Sequence, residues 1–142
     1  MTHWLYPANT KYYDVFAAMA EKETWWPMHT RVETGDVVVI YLATPYKQIA
    51  YLCTVNATEI DSGEVMPHIR QFFTGNEKPT KAIKPFMSLS PSHTIPIEAQ
   101  SPFGLSHLKQ HGLSGMLMGA RNLDNNPELL EYILQEVNHE LR

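Results

Sequence analysis

The sequence predicts an α+β domain, in which a small, curved and mostly antiparallel β-sheet is partly closed as a barrel and helices pack outside it. Residues 37–41 are a β-branched run typical of a strand buried on both faces. A second apolar run at residues 49–55 follows a break at Ala43-Thr44-Pro45. These two strands should pair as antiparallel neighbours. A C-terminal apolar stripe at helical spacing predicts a helix docked on the sheet.

The chain should form one domain, residues 1–142, because that length is enough to bury a full core. Its hydrophobic fraction of 44% and charged fraction of 18% are ordinary for a globular protein. No apolar run approaches the ~20 residues needed to span a bilayer. The N-terminus has no signal-peptide profile. The single cysteine, Cys53, excludes an intramolecular disulfide. We therefore expect a cytoplasmic protein without a membrane partner.

The N-terminal half begins with a short buried strand at residues 4–6, which Pro7 should end. Asn9 can cap a helix over residues 12–22, where apolar side chains recur at helical spacing. A turn signal at residues 33–36 then leads into the β-branched strand.

In the C-terminal half, a turn at Ser62-Gly63 precedes a predicted short helix over residues 65–73, and a strand is predicted at residues 84–89. Ser101-Pro102 resembles an N-cap with proline at the first helical position, which predicts a helix to Gln110. Three glycines make residues 112–119 irregular backbone. Asn126-Pro127 opens the last helix. Its predicted apolar stripe is Leu130, Ile133, Leu134, Val137 and Leu141.

The formal net charge of −4 argues against a protein that coats nucleic acid non-specifically, because such proteins carry a basic excess. One cluster of cations consists of Arg70, Lys78, Lys81 and Lys84, and a solvated loop is its simplest interpretation. A nucleic-acid partner would have to be held locally, by a base pocket and a few phosphate contacts.

Common enzyme signatures are missing from the sequence. His107 and His111 have helical i, i+4 spacing, but no glutamate lies between them in the metalloprotease arrangement and no third ligand is evident. The glycine-rich segment lacks the lysine and Ser/Thr of a P-loop. Cys53 is most simply a small core residue. Asp36, after a turn glycine, should bind nearby backbone N–H groups. We expect no catalytic residue, no metal and no cofactor.

The adjacent pair Trp25-Trp26 is the feature that most suggests a binding site. Trp4, in its short strand, should be core. Side chains of consecutive residues diverge, so the two rings cannot both point into the same core. The second ring either lines a pocket or covers the end of a helix, and both interpretations remain open. Stacking a nucleobase on an aromatic face contributes roughly 1–3 kcal/mol. Asn9, just after a strand, can present an amide to the same place.

Several segments resemble the EVE domain family. They are WLYPAN at residues 4–9, Tyr13-Asp14, Trp26 nine positions before Gly35-Asp36, VVIYLATPY at 38–46, IAYLCTV at 49–55, LSHLKQHGLSG at 105–115 and GARNL at 119–123. EVE domains are PUA-like pseudo-barrels related to the YTH readers. The resemblance implies a bacterial, non-catalytic module that recognises a modified base of DNA or RNA, taken unpaired into an aromatic pocket. It also implies a link to modification-dependent restriction, with a nuclease or ATPase as a separate partner.

The same resemblance assigns roles to individual residues. Trp26 is the expected stacking wall, with Trp25 as the fallback, and Asn9 would read the base edge. The remaining predicted pocket residues are Pro7, Ala8 and Pro27, through backbone groups, and Tyr41 or Tyr46 as a further aromatic surface.

A second aromatic wall of the pocket would come from Phe72, Phe73 or Phe86. The expected ligands are methylated or hydroxymethylated bases. Arg121 and Asn122 would meet phosphate or sugar, and Lys84 is a further candidate for that contact.

Two other functions compete with base reading. One is a small-ligand or RNA-processing protein on a PUA-like scaffold, for which Asp14, His29 and Cys53 are the titratable candidates. The other is a protein-interaction module that docks a partner through an exposed aromatic surface.

Overall fold

A computed structural model describes residues 1–75 and 84–140. One six-stranded sheet with the strand order β2-β5-β4-β3-β1-β6 organises them. The strands are β1 His3–Ala8, β2 Thr24–Pro27, β3 Val37–Leu42, β4 Gln48–Ile60, β5 Phe86–Thr94 and β6 Arg121–Asn122. The helices are α1 Val15–Met19, α2 Ser62–Ile69, α3 Leu105–Gln110 and α4 Pro127–Glu140. Short 3-10 turns follow α2, at Arg70–Phe72, and precede α4, at Leu123–Asn125.

The sheet is antiparallel except where β1 runs parallel to β3, with Leu5 opposite Val39. The central pair β3 and β4 is antiparallel, as the sequence predicts. The long strand β4 pairs with β5 through three register shifts. Such shifts bend a strand and increase its twist. The observed architecture is the predicted α+β fold, a curled half-barrel sheet with helices packed against it.

Each face of the sheet buries its own core, since successive side chains of a strand point to opposite faces. The inner core takes Trp4 and Tyr6 from β1 and is closed by α1 and α2. The outer core takes Leu5 from the same strand and is covered by α3 and α4. This division decides which aromatic residues can share a site.

The first strand and helix differ from the prediction. β1 continues through Pro7 to Ala8. The carbonyls of Thr2 and Ala8 face β3, so the nitrogen of Pro7 faces the other side, where β6 pairs only with Trp4 and Leu5. Proline therefore removes no ladder hydrogen bond.

The predicted helix over residues 12–22 shortens to α1, because Asp14 is its N-cap and accepts from the N–H of Ala17 at 3.1 Å. Asn9 instead accepts from the N–H of Lys11 at 2.9 Å, which forms a local turn.

Several other boundaries move. Asp61 caps α2, so the helix begins at Ser62 where the sequence predicts a turn, and Phe73 beyond it is half exposed. Gly104, not Ser101, precedes α3. The Ser101 hydroxyl accepts from the N–H of Phe103 in the loop before it.

The last helix is present as predicted, with Leu129, Ile133 and Val137 buried, while Leu130 and Leu134 are partly buried. Lys78, Lys81 and Leu141 lie outside the described residues. Across residues 1–75 and 84–140, no helix combines the length and apolarity needed to cross a membrane.

Candidate nucleic-acid interface

The two tryptophans lie on β2, an edge strand of the sheet, and not at a helix end as the sequence suggests. Strand geometry sends them to opposite faces. Trp26 faces the inner core with 9% of its surface exposed. Trp25 is partly buried and stacks on His68 of α2, with ring centroids 4.7 Å apart and an interplanar angle of 24°. Trp26 therefore belongs to the core, and Trp25 packs at the edge of that core, against α2.

Tyr13 is the centre of the aromatic cluster that includes Trp26. Its ring meets Trp26 edge-on at 5.3 Å, Phe73 at 5.4 Å and Phe72 at 5.9 Å. We call these four residues the Tyr13 cluster. Phe72 is buried, whereas Phe73 is 50% exposed. Such edge-to-face pairs are favourable for aromatic rings. The cluster thus runs from the inner core to the surface.

Two buried hydroxyl groups in this region have no hydrogen-bond partner among the described residues: those of Tyr13 and Thr24. Thr24 is 1% exposed and begins β2, two positions before Trp26. The Thr24 hydroxyl lowers the pKa of Tyr13 as a hydrogen-bonding neighbour does, although neither hydroxyl completes a hydrogen bond among the described residues. Burial outweighs that effect and raises the pKa of Tyr13 far above its ordinary value. Both groups therefore stay neutral, with donors and acceptors unused.

Unused buried hydroxyls are uncommon, because each one costs roughly 1–3 kcal/mol of desolvation. The carboxylate next to them in sequence is already engaged, since Glu23 accepts a short hydrogen bond from the buried Ser88 hydroxyl. An aromatic face beside two neutral hydroxyls offers the kinds of contact that a flat ring with polar edge atoms would use.

A second set of contacts fixes the strands behind the cluster. The Tyr6 hydroxyl accepts from the N–H of His29 at 2.6 Å, and burial raises its pKa to about 12 despite that bond. The indole N–H of Trp4, which is core as predicted, donates to Asp36 at 3.0 Å. Asp36 also accepts from backbone N–H groups, as the sequence suggests. These contacts tie β1 to the loops before β3.

Several predicted pocket residues lie elsewhere. Tyr41 belongs to the outer core, on the face of the sheet opposite Trp26, and so does not line a pocket with it. Asn9 is exposed, and its side-chain oxygen is used by the local turn. Tyr46 is 37% exposed and touches Phe16 of α1 edge-on at 5.3 Å.

The other predicted positions divide between core and surface. Ala8 is buried in the inner core, Pro7 is partly buried, and Pro27 is exposed at the end of β2 opposite Phe86. Of the three candidates for a second wall, Phe72 and Phe73 reach Tyr13, and Phe86 packs in the inner core.

Two of the residues predicted to contact phosphate make hydrogen bonds within the protein. Arg121 donates to the carbonyls of Ser114 and Met116 and so holds the glycine-rich loop. The Asn122 side chain accepts from the N–H of Asp124 at 2.8 Å and caps a 3-10 turn. Lys84 is exposed. Their contact with phosphate remains a prediction.

The three titratable residues considered for an enzyme, Cys53, Asp14 and His29, make structural contacts. Cys53 is buried beside Met19, and burial raises the pKa of its thiol to about 12, the reverse of what a nucleophilic thiolate needs. Asp14 caps α1, and the ring of His29 lies against Trp4 at 4.9 Å. Within the described ranges, no three His, Cys, Asp or Glu side chains are grouped to hold a metal ion.

A cleft of about 410 Å³ opens at the end of the sheet where β3 ends and β4 begins. Tyr46 and Gln48 line one part of it, and the segments 98–101 and 104–107 line most of the rest. Two lysines, Lys47 and Lys109, contribute to its wall. The buried Gln48 side chain ties the parts together, donating to the carbonyls of Ile49 and Pro96 at 3.0 Å.

Sequence reasoning gave no role to Tyr13 or Thr24. Tyr13 stands in a segment that resembles the EVE family, so a signal for it exists, but its contacts arise only through folding. Thr24 precedes the tryptophan pair. Its side chain shares a face with that of Trp26 because residues 24–27 form a strand, which the sequence does not predict.

Neither a protein-family model nor a curated protein sequence matches this chain. Solved structures do. An ASCH protein from Zymomonas mobilis, solved as a serine-to-alanine mutant, aligns over 94% of both chains with a TM-score of 0.64 and 12% identity. A hypothetical protein from Leishmania major aligns over 100% of this chain and 98% of its own, with a TM-score of 0.64 and 15% identity.

A protein from Pseudomonas putida aligns over 94% of this chain and 98% of its own, with a TM-score of 0.62 and 16% identity. At such identities the likeness concerns the fold alone. That fold is PUA-like, of the kind seen in ASCH domains, and the comparisons do not single out the EVE family.

Proposed function

We propose that this protein is a non-catalytic module that binds an unpaired, modified nucleobase of RNA or DNA at the Tyr13 cluster. The observation that carries the proposal is the pair of buried hydroxyls without partners, on Tyr13 and Thr24, beside the ring of Trp26. A PUA-like fold is consistent with nucleic-acid binding. The modification, a methyl or hydroxymethyl group, comes from the resemblance and from the apolar walls of the cluster.

The chemistry of the cluster favours binding over reaction. Both hydroxyls are neutral near pH 7, since burial raises the pKa of Tyr13 and a threonine hydroxyl does not titrate. They can each donate one hydrogen bond and accept others, which suits the polar edge of a base. A base that lacks matching atoms would leave them unsatisfied, and such a mismatch is a strong source of discrimination.

The base would enter from the side of Phe73. That ring is half exposed, so it can rotate away from Tyr13 while the buried Phe72 and Trp26 stay in place. A methyl group on the base would contact the aromatic walls, and a hydroxymethyl group would also reach a hydroxyl.

The test is a fluorescence titration with short single-stranded RNA and DNA oligonucleotides containing 5-methylcytosine, 5-hydroxymethylcytosine or N6-methyladenine, beside unmodified strands. Thr24→Val and Tyr13→Phe each delete one oxygen and keep the shape of the side chain. We expect one modified strand to bind preferentially, and each variant to weaken that binding about tenfold, the equivalent of one lost hydrogen bond.

Tyr132→Phe is the matched control, because it deletes the same atom from a tyrosine packed on the outer core. Equal affinity for modified and unmodified strands would refute recognition of the modification. Unchanged binding by both pocket variants would refute the site, and no binding to any strand would refute the function.

A further inference from the structure

The cleft between β4 and α3 lies beside an aromatic pair, Phe16 and Tyr46, at α1, the helix that follows Tyr13. Phe16 lies three residues after Tyr13, on α1, and its ring meets Tyr46 edge-on at 5.3 Å. Tyr46 in turn lines the cleft. Phe16 and Tyr46 are each 37% exposed, so both rings are accessible to a ligand.

The charge of the cleft differs from that of the whole chain. Its lining contains Lys47 and Lys109, one carboxylate, Glu98, and His107. With the histidine neutral, two cations face one anion, in a chain whose net charge is −4. Neither lysine has an ion-pair partner in the part of the chain that the structure describes. Two exposed ammonium groups beside an accessible aromatic ring suit a strand of nucleic acid.

The backbone at this cleft is also unusual. Lys47 has a φ of 52°, in the left-handed region that lysine seldom adopts. The carbonyl of Lys47 accepts from the N–H of Leu105 at 2.9 Å, which joins the strand side of the cleft to the start of α3. The lysine is therefore held on a fixed turn, and an ordered position reduces the conformational entropy lost when it binds a ligand.

Another cleft on the surface offers a contrast. It measures about 290 Å³ and is lined by Glu128 and Glu131, with the stacked rings of His111 and Tyr132 3.8 Å apart. Its two carboxylates would repel a phosphate backbone. Of these two clefts, the lysine-lined one is better suited to a nucleic-acid strand.

We propose that the cleft of Tyr46, Lys47 and Lys109 binds the sugar–phosphate backbone next to the base held at the Tyr13 cluster, with a neighbouring base stacked on Tyr46. The inference rests on the proposed function and extends it from one base to a single strand of two or three nucleotides. Lys47 and Lys109 contact phosphates, and Phe16 supports the Tyr46 ring between the two sites.

The test measures the dissociation constant of the preferred oligonucleotide at several salt concentrations between about 50 and about 200 mM. It compares the wild-type protein with a Lys47→Gln/Lys109→Gln variant. Each phosphate contact on a single strand contributes about 0.7 to the slope of log affinity against log salt. We expect the slope to fall by about 1.4 in the double variant, with preference for the modified base retained. Tyr13→Phe should show the reverse, a lost preference with an unchanged slope.

Lys22→Gln/Arg31→Gln is the control, because it removes the same charge at positions that do not line the cleft. A trinucleotide should bind the wild type more tightly than the mononucleotide does. In Tyr46→Ala this advantage should fall by about tenfold, because the stacking of one base is lost. If the protein binds but the lysine variant keeps the wild-type slope, this inference fails and the proposed function stands. If the protein binds no nucleic acid, both fail.

Discussion

The indole N–H of Trp4 donates a 3.0 Å hydrogen bond to the carboxylate of Asp36, thirty-two residues later in the chain, and both residues are buried. The same carboxylate accepts from the N–H groups of Thr2 and Glu33 at 2.9 Å. Burial alone would raise the pKa of Asp36, but these three hydrogen bonds outweigh it and lower the pKa below its ordinary value. One side chain thereby joins the N-terminal strand to the turn before β3.

This arrangement predicts a loss of stability in acid. The pKa of Asp36 is lower in the folded than in the unfolded chain, so its contribution is complete above the unfolded value of about 3.9 and disappears as the pH falls through the folded value. Urea unfolding of the wild type and Asp36→Asn between about pH 2 and pH 6 checks this. The variant should be less stable near neutrality, by roughly 1–3 kcal/mol, with a flatter dependence on pH.

Asp61→Asn is a suitable control, since it makes the same substitution at an exposed helix cap that takes no part in the hydrogen bonds of Asp36. Parallel curves for wild type and Asp36→Asn would contradict the assigned role of Asp36.

Trp26→Ala should lower the free energy of unfolding by about 3–5 kcal/mol, because it empties a core position. Trp25→Ala should cost clearly less, since that ring is partly exposed and stacks on His68 alone among the described aromatic pairs. Thermal and urea unfolding of the two variants measures the difference. Because the resemblance makes Trp26 the stacking wall, Trp26→Ala would be the obvious binding test, but the burial of Trp26 makes the variant a poor probe. Equal losses of stability in the two variants would contradict the difference in burial between the two rings.

Tyr13→Phe should not destabilise the protein. The hydroxyl has no hydrogen-bond partner among the described residues, so its removal ends a desolvation penalty while the ring contacts remain. The free energy of unfolding should stay the same or rise by up to about 1 kcal/mol. Tyr6→Phe is the counterpart, because it breaks the 2.6 Å bond to the N–H of His29 and should reduce stability. A Tyr13→Phe variant as destabilised as Tyr6→Phe would indicate that the hydroxyl has a structural role.

Cys53 should react with thiol reagents only when the chain unfolds. It is buried, and burial raises the pKa of its thiol to about 12, so the reactive thiolate is scarce at neutral pH. The labelling rate with a disulfide reagent should therefore rise with urea in step with unfolding, because the thiol is exposed and regains an ordinary pKa of about 8.5 when the chain opens. Fast labelling without denaturant would show that the inner core opens locally at β4.

Much of the fold could be predicted from the sequence, for reasons that are local. The β-branched residues of β3 and the apolar stripe of α4 are patterns that few other structures satisfy. The break at Ala43-Thr44-Pro45 places β3 and β4 side by side. Errors concentrate at ends: Asp14 caps α1 later than Asn9 would, and Asp61 caps α2 earlier than the turn at Ser62-Gly63 suggests. Each end depends on which of several capable side chains folding brings to the helix.

The site was less predictable. A pair such as Trp25-Trp26 splits between two faces in either a helix or a strand, and only the pairing of β2 with β5 decides the structure. Tyr41 and Trp26 are both large aromatic residues in apolar segments of the sequence, yet they lie on opposite faces of the sheet. The Tyr13 cluster joins residues up to sixty positions apart by number, and no local pattern records that contact.

The sequence by itself determined the class of fold, the central β3–β4 pair, the last helix and the core positions of Trp4 and Cys53, since these follow from local alternation, periodicity and residue size. Only the tertiary structure decided that Tyr13 is the centre of the aromatic cluster, that its hydroxyl and that of Thr24 are buried without partners, and that a lysine-lined cleft lies beyond Tyr46. The physical reason is that burial and hydrogen-bond satisfaction depend on contacts between distant segments, which exist only after the sheet has curled.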